Sequence, residues 1–137
     1  MADGLDYIHS NKFVHRDIKP GNILFQLNEA SNVPITFKIS DFGFVKVTSE
    51  EGSFSQSGIK GTLEYMAPEF LKPLNKKGTS RSHSANLPKG RQSADVFAMG
   101  CVFYFFLTSG QHPFGEGFSI AVNILENRYD ISGIYLQ

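Results

Sequence analysis

The sequence predicts an α+β fold that is mainly helical. Three stretches carry that reading: a strongly apolar run from Ala94 to Thr108, an amphipathic pattern from Phe118 to Asn127, and two strand-like runs, Ile23–Phe25 and Ile35–Ile39, on either side of a turn-rich segment. The chain has 137 residues, room for one modest domain, and its 41% apolar against 19% charged composition allows a packed core.

Each element has a local reason. Residues 1–10 read as the end of a helix, with Leu5, Ile8 and His9 at helical spacing and Asn11 as its stop. Phe13-Val14 is a short apolar element. The polar cluster His15 to Asn22 contains Pro20-Gly21, which forbids regular structure, so it is a loop. Asn28 to Pro34 is the turn region of a hairpin whose arms are the two strand-like runs. Residues 41–69 are rich in Gly, Ser, Thr and acid without a sustained period, and are expected to be one long loop. Residues 71–92, rich in Ser, Lys, Arg and Gly, read as a polar insertion. Ser93 is the expected N-cap of the apolar helix, and Ser109-Gly110 ends it. Gly100 is expected to permit close packing within that helix. In the last helix Phe118, Ala121, Val122 and Leu125 are the expected apolar face.

Charge and cysteine content exclude several classes. Thirteen basic and thirteen acidic residues give no net charge, which argues against a dedicated binder of nucleic acid or anionic membrane. Lys72, Lys76, Lys77, Arg81, Lys89 and Arg91 could form a local nucleic-acid contact, but with little aromatic interleaving they read rather as a solvated loop. The single Cys101 has no internal disulfide partner and sits inside the apolar helix, so a reducing compartment and an inert, buried thiol are expected. The N-terminal residues lack the basic start and apolar core of a signal peptide. The longest apolar stretch, Val96 to Leu107, is twelve residues, too short for the roughly twenty of a membrane span.

Three motifs carry the chemistry. The loop reads His15-Arg16-Asp17-Ile18-Lys19-Pro20-Gly21-Asn22; nineteen residues after Asn22 comes Asp41-Phe42-Gly43, and twenty-six after Asp41 comes Ala67-Pro68-Glu69. In this order and spacing they resemble the protein kinase family, whose catalytic loop, Asp-Phe-Gly and Ala-Pro-Glu motifs follow the same succession. The resemblance implies a partial kinase-like C-terminal lobe over residues 1–137: catalytic loop, small β-hairpin, activation segment and central buried helix. It implies ATP and Mg2+ as cofactors. Phosphoryl transfer is mostly positioning and charge neutralisation. Asp17 would then orient the substrate hydroxyl and accept its proton, and Lys19 would stabilise the transferring phosphate. Asn22 and Asp41 would hold magnesium through hard oxygen ligands. Leu24 would be the floor under the adenine ring.

Other positions take supporting roles by the same resemblance. His15 and Phe42 would be packing elements beside Gly43. Thr62, after Gly61, would bridge Asp17 and Lys19, a Ser/Thr-kinase feature. Asp95, in the first turn of the apolar helix, would accept hydrogen bonds from the backbone of the catalytic loop. Glu69 would pair with an Arg late in the kinase fold. Arg16 beside Asp17 suggests control by phosphorylation, since a phosphate suits a guanidinium partner. Thr48, Ser49, Ser53, Ser55 and Ser57 are candidate sites, with Ser53, Ser55 and Ser57 preferred.

The branch is read from the helix that begins at Asp95-Val96-Phe97, where most kinases carry Trp in place of Phe97, and from His112-Pro113-Phe114 and Asn123-Ile124-Leu125. These are similar to the kinase domain of the inositol-requiring kinase/endoribonuclease family of the unfolded-protein response; ribonuclease-L-like and ordinary Ser/Thr kinases are the alternatives. That resemblance implies autophosphorylation, association with a second copy, protein substrates, nucleotide binding and a position on the cytosolic face of the endoplasmic reticulum. RNA would be contacted only through a ribonuclease domain outside this sequence, and no membrane contact is expected of this segment. The sequence contains no Gly-rich phosphate loop, no Val-Ala-Ile-Lys strand and no pairing Glu helix. Two expectations follow: a piece of an active Ser/Thr kinase that is inactive alone, or a non-enzymatic interaction module.

Overall fold

A computed structural model describes residues 1–28, 35–56, 58–74 and 89–134. Its first helix, α1 (Ala2–Ser10), buries Leu5 and Ile8, and Asn11 ends it with its side-chain amide on the Tyr7 carbonyl. The chain then forms β1 (Phe13–Val14), the polar loop, and the antiparallel hairpin β2 (Ile23–Leu27) and β3 (Ile35–Ile39), in which Ile23 pairs with Ile39 and Leu27 with Ile35. Most of the expected turn between the arms, residues 29–34, lies outside the described residues.

Residues 41–69 are not one irregular loop. β4 (Lys46–Val47) pairs antiparallel with β1, and β5 (Ser53–Phe54) with β6 (Gly90–Arg91). Single 3-10 turns occupy Phe42–Phe44 and Leu63–Tyr65, and α2 (Pro68–Leu71) closes the segment. Strands of two residues show no alternation in sequence, because an alternation needs at least two repeats to be visible. Both described ends of the 71–92 stretch are anchored. Leu71 is buried in the core, and Gly90 lies under the Phe54 ring so closely that a Cβ there would come within 2.2 Å of it. Residues 75–88 lie outside the described residues.

The apolar helix, α3 (Ser93–Leu107), is the centre of the molecule. It buries Ala94, Asp95, Ala98, Met99, Cys101, Val102 and Tyr104, a stripe at helical spacing. Ala98, Met99 and Val102 meet Leu5, Ile18 and Ile23 in the main core, so α1, the polar loop and the hairpin all pack on one face of α3. A second cluster joins Met66 and Leu71 to Ile120 and Ile124 of α4 (Ser119–Leu125).

Three local expectations are corrected. Ser93 is the first helical residue of α3 rather than its cap; Gln92 holds the cap position without a side-chain cap. Gly100 is exposed, and a Cβ there would meet nothing within 4 Å, so it serves no close packing. In α4 the fully buried residues are Ile120 and Ile124; of the expected face Ala121 and Leu125 pack half-buried against the same cluster, while Phe118 and Val122 are exposed. The α2 and Tyr65–Met66 side lies against the Ile120–Ile124 edge, which the periodicity of a short, mostly apolar helix does not single out. Among the described residues no helix is long and apolar enough to cross a membrane.

Candidate functional site

The polar loop is built around Asp17. Pro20–Asn22 makes a 3-10 turn, with Pro20 at a position where its missing N–H costs nothing, and the turn swings Asn22 back toward Asp17. Asn22 Nδ2 donates to the Asp17 carbonyl at 2.8 Å and to its carboxylate Oδ2 at 3.1 Å. Lys19 Nζ lies 2.8 Å from the same Oδ2. From the other side Thr62 donates its hydroxyl to Asp17 Oδ1 at 2.8 Å and accepts from Lys19 Nζ at 3.0 Å. Thr62 thus closes a ring with Asp17 and Lys19 across more than forty residues of chain.

Burial pushes the Asp17 carboxyl up, but the hydrogen bonds of Lys19, Thr62 and Asn22, together with the lysine charge, outweigh it and hold the group below the ordinary carboxylate range. Asp17 is therefore ionised at neutral pH despite being buried.

The loop is held from below by Asp95. Its carboxylate is almost wholly buried and accepts from the His15 N–H at 2.7 Å and the Arg16 N–H at 2.8 Å. A third partner, His9 Nε2 at 3.0 Å, joins it from α1. These bonds accompany a left-handed Arg16, φ +71°, an uncommon state for a residue with a side chain. The His15 ring donates from Nε2 to the Ser40 carbonyl at 3.0 Å and accepts the Asp17 N–H at Nδ1, 3.3 Å. It meets the Phe42 ring edge-on at 5.1 Å. Gly61, beside Thr62, has φ +113°, and a Cβ there would lie 2.5 Å from the Arg16 carbonyl, so only glycine lets the two segments approach.

The hairpin brings Asp41 to the same neighbourhood. Ile23 pairs with Ile39, and Ser40 donates its N–H and its hydroxyl to the Asn22 carbonyl at 2.9 and 3.0 Å. Asn22 therefore stands opposite Ser40, next to Asp41. Asp41 is exposed and left-handed at φ +63°, with Oδ1 accepting from the Gly43 N–H at 3.3 Å. Among the described residues Asp41 Oδ2 and Asn22 Oδ1 take part in no hydrogen bond. One carboxylate and one amide oxygen are hard donors that fit a magnesium ion, and the nearby His15 imidazole has both nitrogens engaged, by the Ser40 carbonyl and the Asp17 N–H. No group of three or more His, Cys, Asp or Glu among the described residues could hold a metal unaided.

The remaining candidates are dispersed. Leu24 is exposed on the hairpin. Glu69 is half-buried in α2 and has no hydrogen bond or ion pair among the described residues. The Arg16 guanidinium lies over the Phe54 ring at 5.7 Å and donates from Nε to the Phe44 carbonyl at 2.5 Å. Ser53 shares a hydroxyl hydrogen bond with Ser49 at 2.9 Å, and Ser55 is exposed, its carbonyl bonded by Lys46 Nζ. Thr48 is buried, and Ser57 lies outside the described residues. Of the six cations weighed as a nucleic-acid patch, Lys72, Lys89 and Arg91 are exposed; Lys76, Lys77 and Arg81 lie outside the described residues. Burial pushes the Cys101 thiol up to about 12, which makes it a poor nucleophile.

The protein kinase domain family matches residues 1–134. The chain belongs to the protein kinase family. It is 34% identical over its whole length to the Schizosaccharomyces pombe "sensor for unfolded proteins in the ER ire1", of which the match covers 14%. It is 37% identical, over 96% of its length, to the Caenorhabditis elegans serine/threonine-protein kinase/endoribonuclease ire-1, and 41% identical, over 91%, to the human serine/threonine-protein kinase/endoribonuclease IRE2; 12% of each relative is covered. The chain thus spans about an eighth of the length of these relatives.

Within a kinase domain, sequence reasoning missed His9 and Gln92. His9 was legible only as a helix residue, and Gln92 carried no signal, because its partners lie in three separate segments.

Proposed function

We propose that this chain is the C-terminal-lobe portion of a Ser/Thr protein kinase that transfers the γ-phosphate of ATP to a protein hydroxyl. The relatives' names extend the proposal to a kinase/endoribonuclease that senses unfolded proteins in the endoplasmic reticulum; a position on the cytosolic face of that membrane and a second copy of itself as substrate are added as what the family resemblance implies. The observation that carries the reading is the convergence of Lys19, Thr62 and Asn22 on one ionised, buried carboxylate.

The chemistry follows from that convergence. Asp17 accepts a hydrogen bond from the incoming hydroxyl, orients it and takes its proton. Lys19 carries a positive charge beside that carboxylate and partners the transferring phosphate. Thr62 fixes both, so neither spends rotamer freedom at the moment of reaction. Asn22 and Asp41 would hold magnesium, which when bound neutralises charge on the phosphate oxygens. Leu24 supports the base. Ser53, Ser55 and Ser57 are the proposed phosphorylation sites, in the segment that Arg16 and Lys46 touch.

The test is transfer of labelled phosphate from ATP by the protein that carries this chain. Asp17→Asn keeps the shape but not the base, and is expected to lower the rate at least a hundredfold. Equal transfer by the variant overturns the reading, and phosphopeptide mapping of the same reaction reads the serine sites.

A second reading, a module that binds a partner without transferring phosphate, has one observation in its favour. Leu24, the proposed floor of the nucleotide site, is 56% exposed beside the exposed Phe25. The 137 residues alone are expected to transfer no more phosphate than their Asp17→Asn variant.

A further inference from the structure

Gln92 occupies the position before α3 where a side-chain cap would ordinarily satisfy the free N–H groups of the first turn. It does not cap the helix. Its side-chain amide reaches away, donating from Nε2 to the His9 carbonyl at 2.9 Å and the Phe13 carbonyl at 3.1 Å, with Thr48 Oγ1 at 3.4 Å. Its backbone N–H donates to the Gly52 carbonyl at 3.1 Å, and its own carbonyl accepts the Asp95 N–H at 3.0 Å. One residue therefore holds the end of α1, the strand before the catalytic loop, the turn between β4 and β5, and the first turn of α3.

Two of these contacts, together with the His9–Asp95 hydrogen bond, form a closed circuit. Gln92 donates to the His9 carbonyl, His9 Nε2 meets Asp95 Oδ2 at 3.0 Å, and the Asp95 N–H returns to Gln92. Asp95 in turn grips the His15 and Arg16 amides. The circuit meets the activation segment at Gly52, whose φ is +69°; a Cβ there would lie 2.7 Å from Gln92 Oε1. Glycine at that turn is what lets the side chain pass.

We infer that Gln92 is a positioning residue that couples the order of the activation segment, at Thr48–Phe54, to the grip of Asp95 on the catalytic loop. A loosened β4–β5 turn withdraws the Gly52 carbonyl from the Gln92 backbone N–H and Thr48 Oγ1 from its side-chain amide, so Gln92 loses both of its ties to that segment. A displaced Gln92 amide leaves the His9 carbonyl, among the described residues, with the Lys12 N–H alone, and the His9 imidazole is held less firmly against the Asp95 carboxylate. The consequence for phosphoryl transfer rests on the kinase reading; the coupling itself does not.

Hydrogen exchange on the chain, residue by residue, tests the coupling without requiring activity. Gln92→Met keeps the volume and removes both donors. Exchange at His15 and Arg16 on one side, and at Thr48 and Ser53 on the other, is expected to rise together about tenfold, while Met99–Phe103 in α3 keep their protection. Gly52→Ala approaches from the opposite side, displacing the amide without altering Gln92, and is expected to give the same pattern; it carries the test should Gln92→Met not fold. Loosening at Thr48 and Ser53 without loosening at His15 and Arg16, or an equal rise across α3, overturns the inference. In the phosphotransfer assay the same variants are expected to lower kcat several-fold with KM for ATP unchanged. Loss of transfer in the unmodified protein would count against the kinase reading and leave the exchange result standing.

Discussion

The catalytic loop and the Asp41–Phe44 turn face the same site and are built in opposite ways. His15, Asp17 and Asn22 are nearly inaccessible, at 0%, 6% and 6% exposure, and each has partners from elsewhere in the chain. Asp41, Phe42 and Gly43 are exposed, and among the described residues the one hydrogen bond on the Asp41 carboxylate comes from Gly43, two residues away. The loop is pre-organised by α3 below and Thr62 above, so its geometry exists before any ligand arrives. Among the described residues the turn leaves one Asp41 carboxylate oxygen without a partner, so on the proposed reading its geometry would be set by a ligand that brings charge. On the proposed kinase reading, a site built this way divides its labour: Asp17, the proposed acid–base group, is fixed by the protein, and Asp41, the proposed metal-facing group, would be fixed by what binds.

Asp95→Ala is the most severe test of that division. It leaves the His15 and Arg16 amides unsatisfied beneath a buried loop, and His9 without its partner. A loss of about 3–5 kcal/mol in urea denaturation is expected, as for a buried polar hub with several partners. A loss under 1 kcal/mol would mean that the loop does not depend on α3. Gly61→Ala comes next. It puts a Cβ at φ +113° and 2.5 Å from the Arg16 carbonyl, and is expected to cost about 1–3 kcal/mol while displacing Thr62 from Asp17. An unchanged midpoint would show that the approach of the two segments is slack.

The difference between the regions also explains what could be read in advance. Asp17, Lys19 and Asn22 lie within six residues, so one tight turn is enough to gather them. The hairpin then carries Asp41 to Asn22, because an antiparallel register, once begun at Ile23–Ile39, leaves no choice about what comes next. Gln92, Gly52 and the Phe54–Gly90 contact were invisible for the converse reason. They join segments about forty to eighty residues apart, through strands too short to show a period. The apolar face of α4 was placed only in part, with Ala121 and Leu125 against the core but Phe118 and Val122 exposed, because seven mostly apolar residues fit more than one helical stripe; the tertiary partner decides.

Acid sharpens the comparison, because it acts on buried groups. Burial lowers the His112 imidazole below its ordinary 6.5, an effect that Glu64 only partly offsets, and Asp17 lies below its ordinary 3.8. In both cases the unfolded chain takes up the proton at higher pH than the folded one, so stability falls as pH falls. The first loss is expected below about 6.5, from His112, and the second below about 4, from Asp17. Urea midpoints measured from pH 7.5 down to 3 should decline in these two windows, and His112→Gln should flatten the first. A midpoint that rises on acidification to pH 5 would contradict the sign.

The smallest expected effect lies on the outer face of α3, the side that makes none of these connections. Gly100 is exposed in the middle of a helix, at an ordinary helical φ, with open space where a Cβ would go. Gly100→Ala therefore removes backbone freedom from the unfolded chain and disturbs no neighbour, and a gain of about 0.5–1 kcal/mol is expected in urea denaturation. Phosphotransfer should be unaltered, since the buried stripe of α3 that carries Asp95, Ala98 and Val102 faces away from the change. A loss of stability would mean that the outer face is covered after all, and the one-sided role given to α3 would have to be withdrawn. A gain would separate the two faces of one helix by sign: substitution at Asp95 loosens the site, and substitution five residues along only stiffens the rod that carries it.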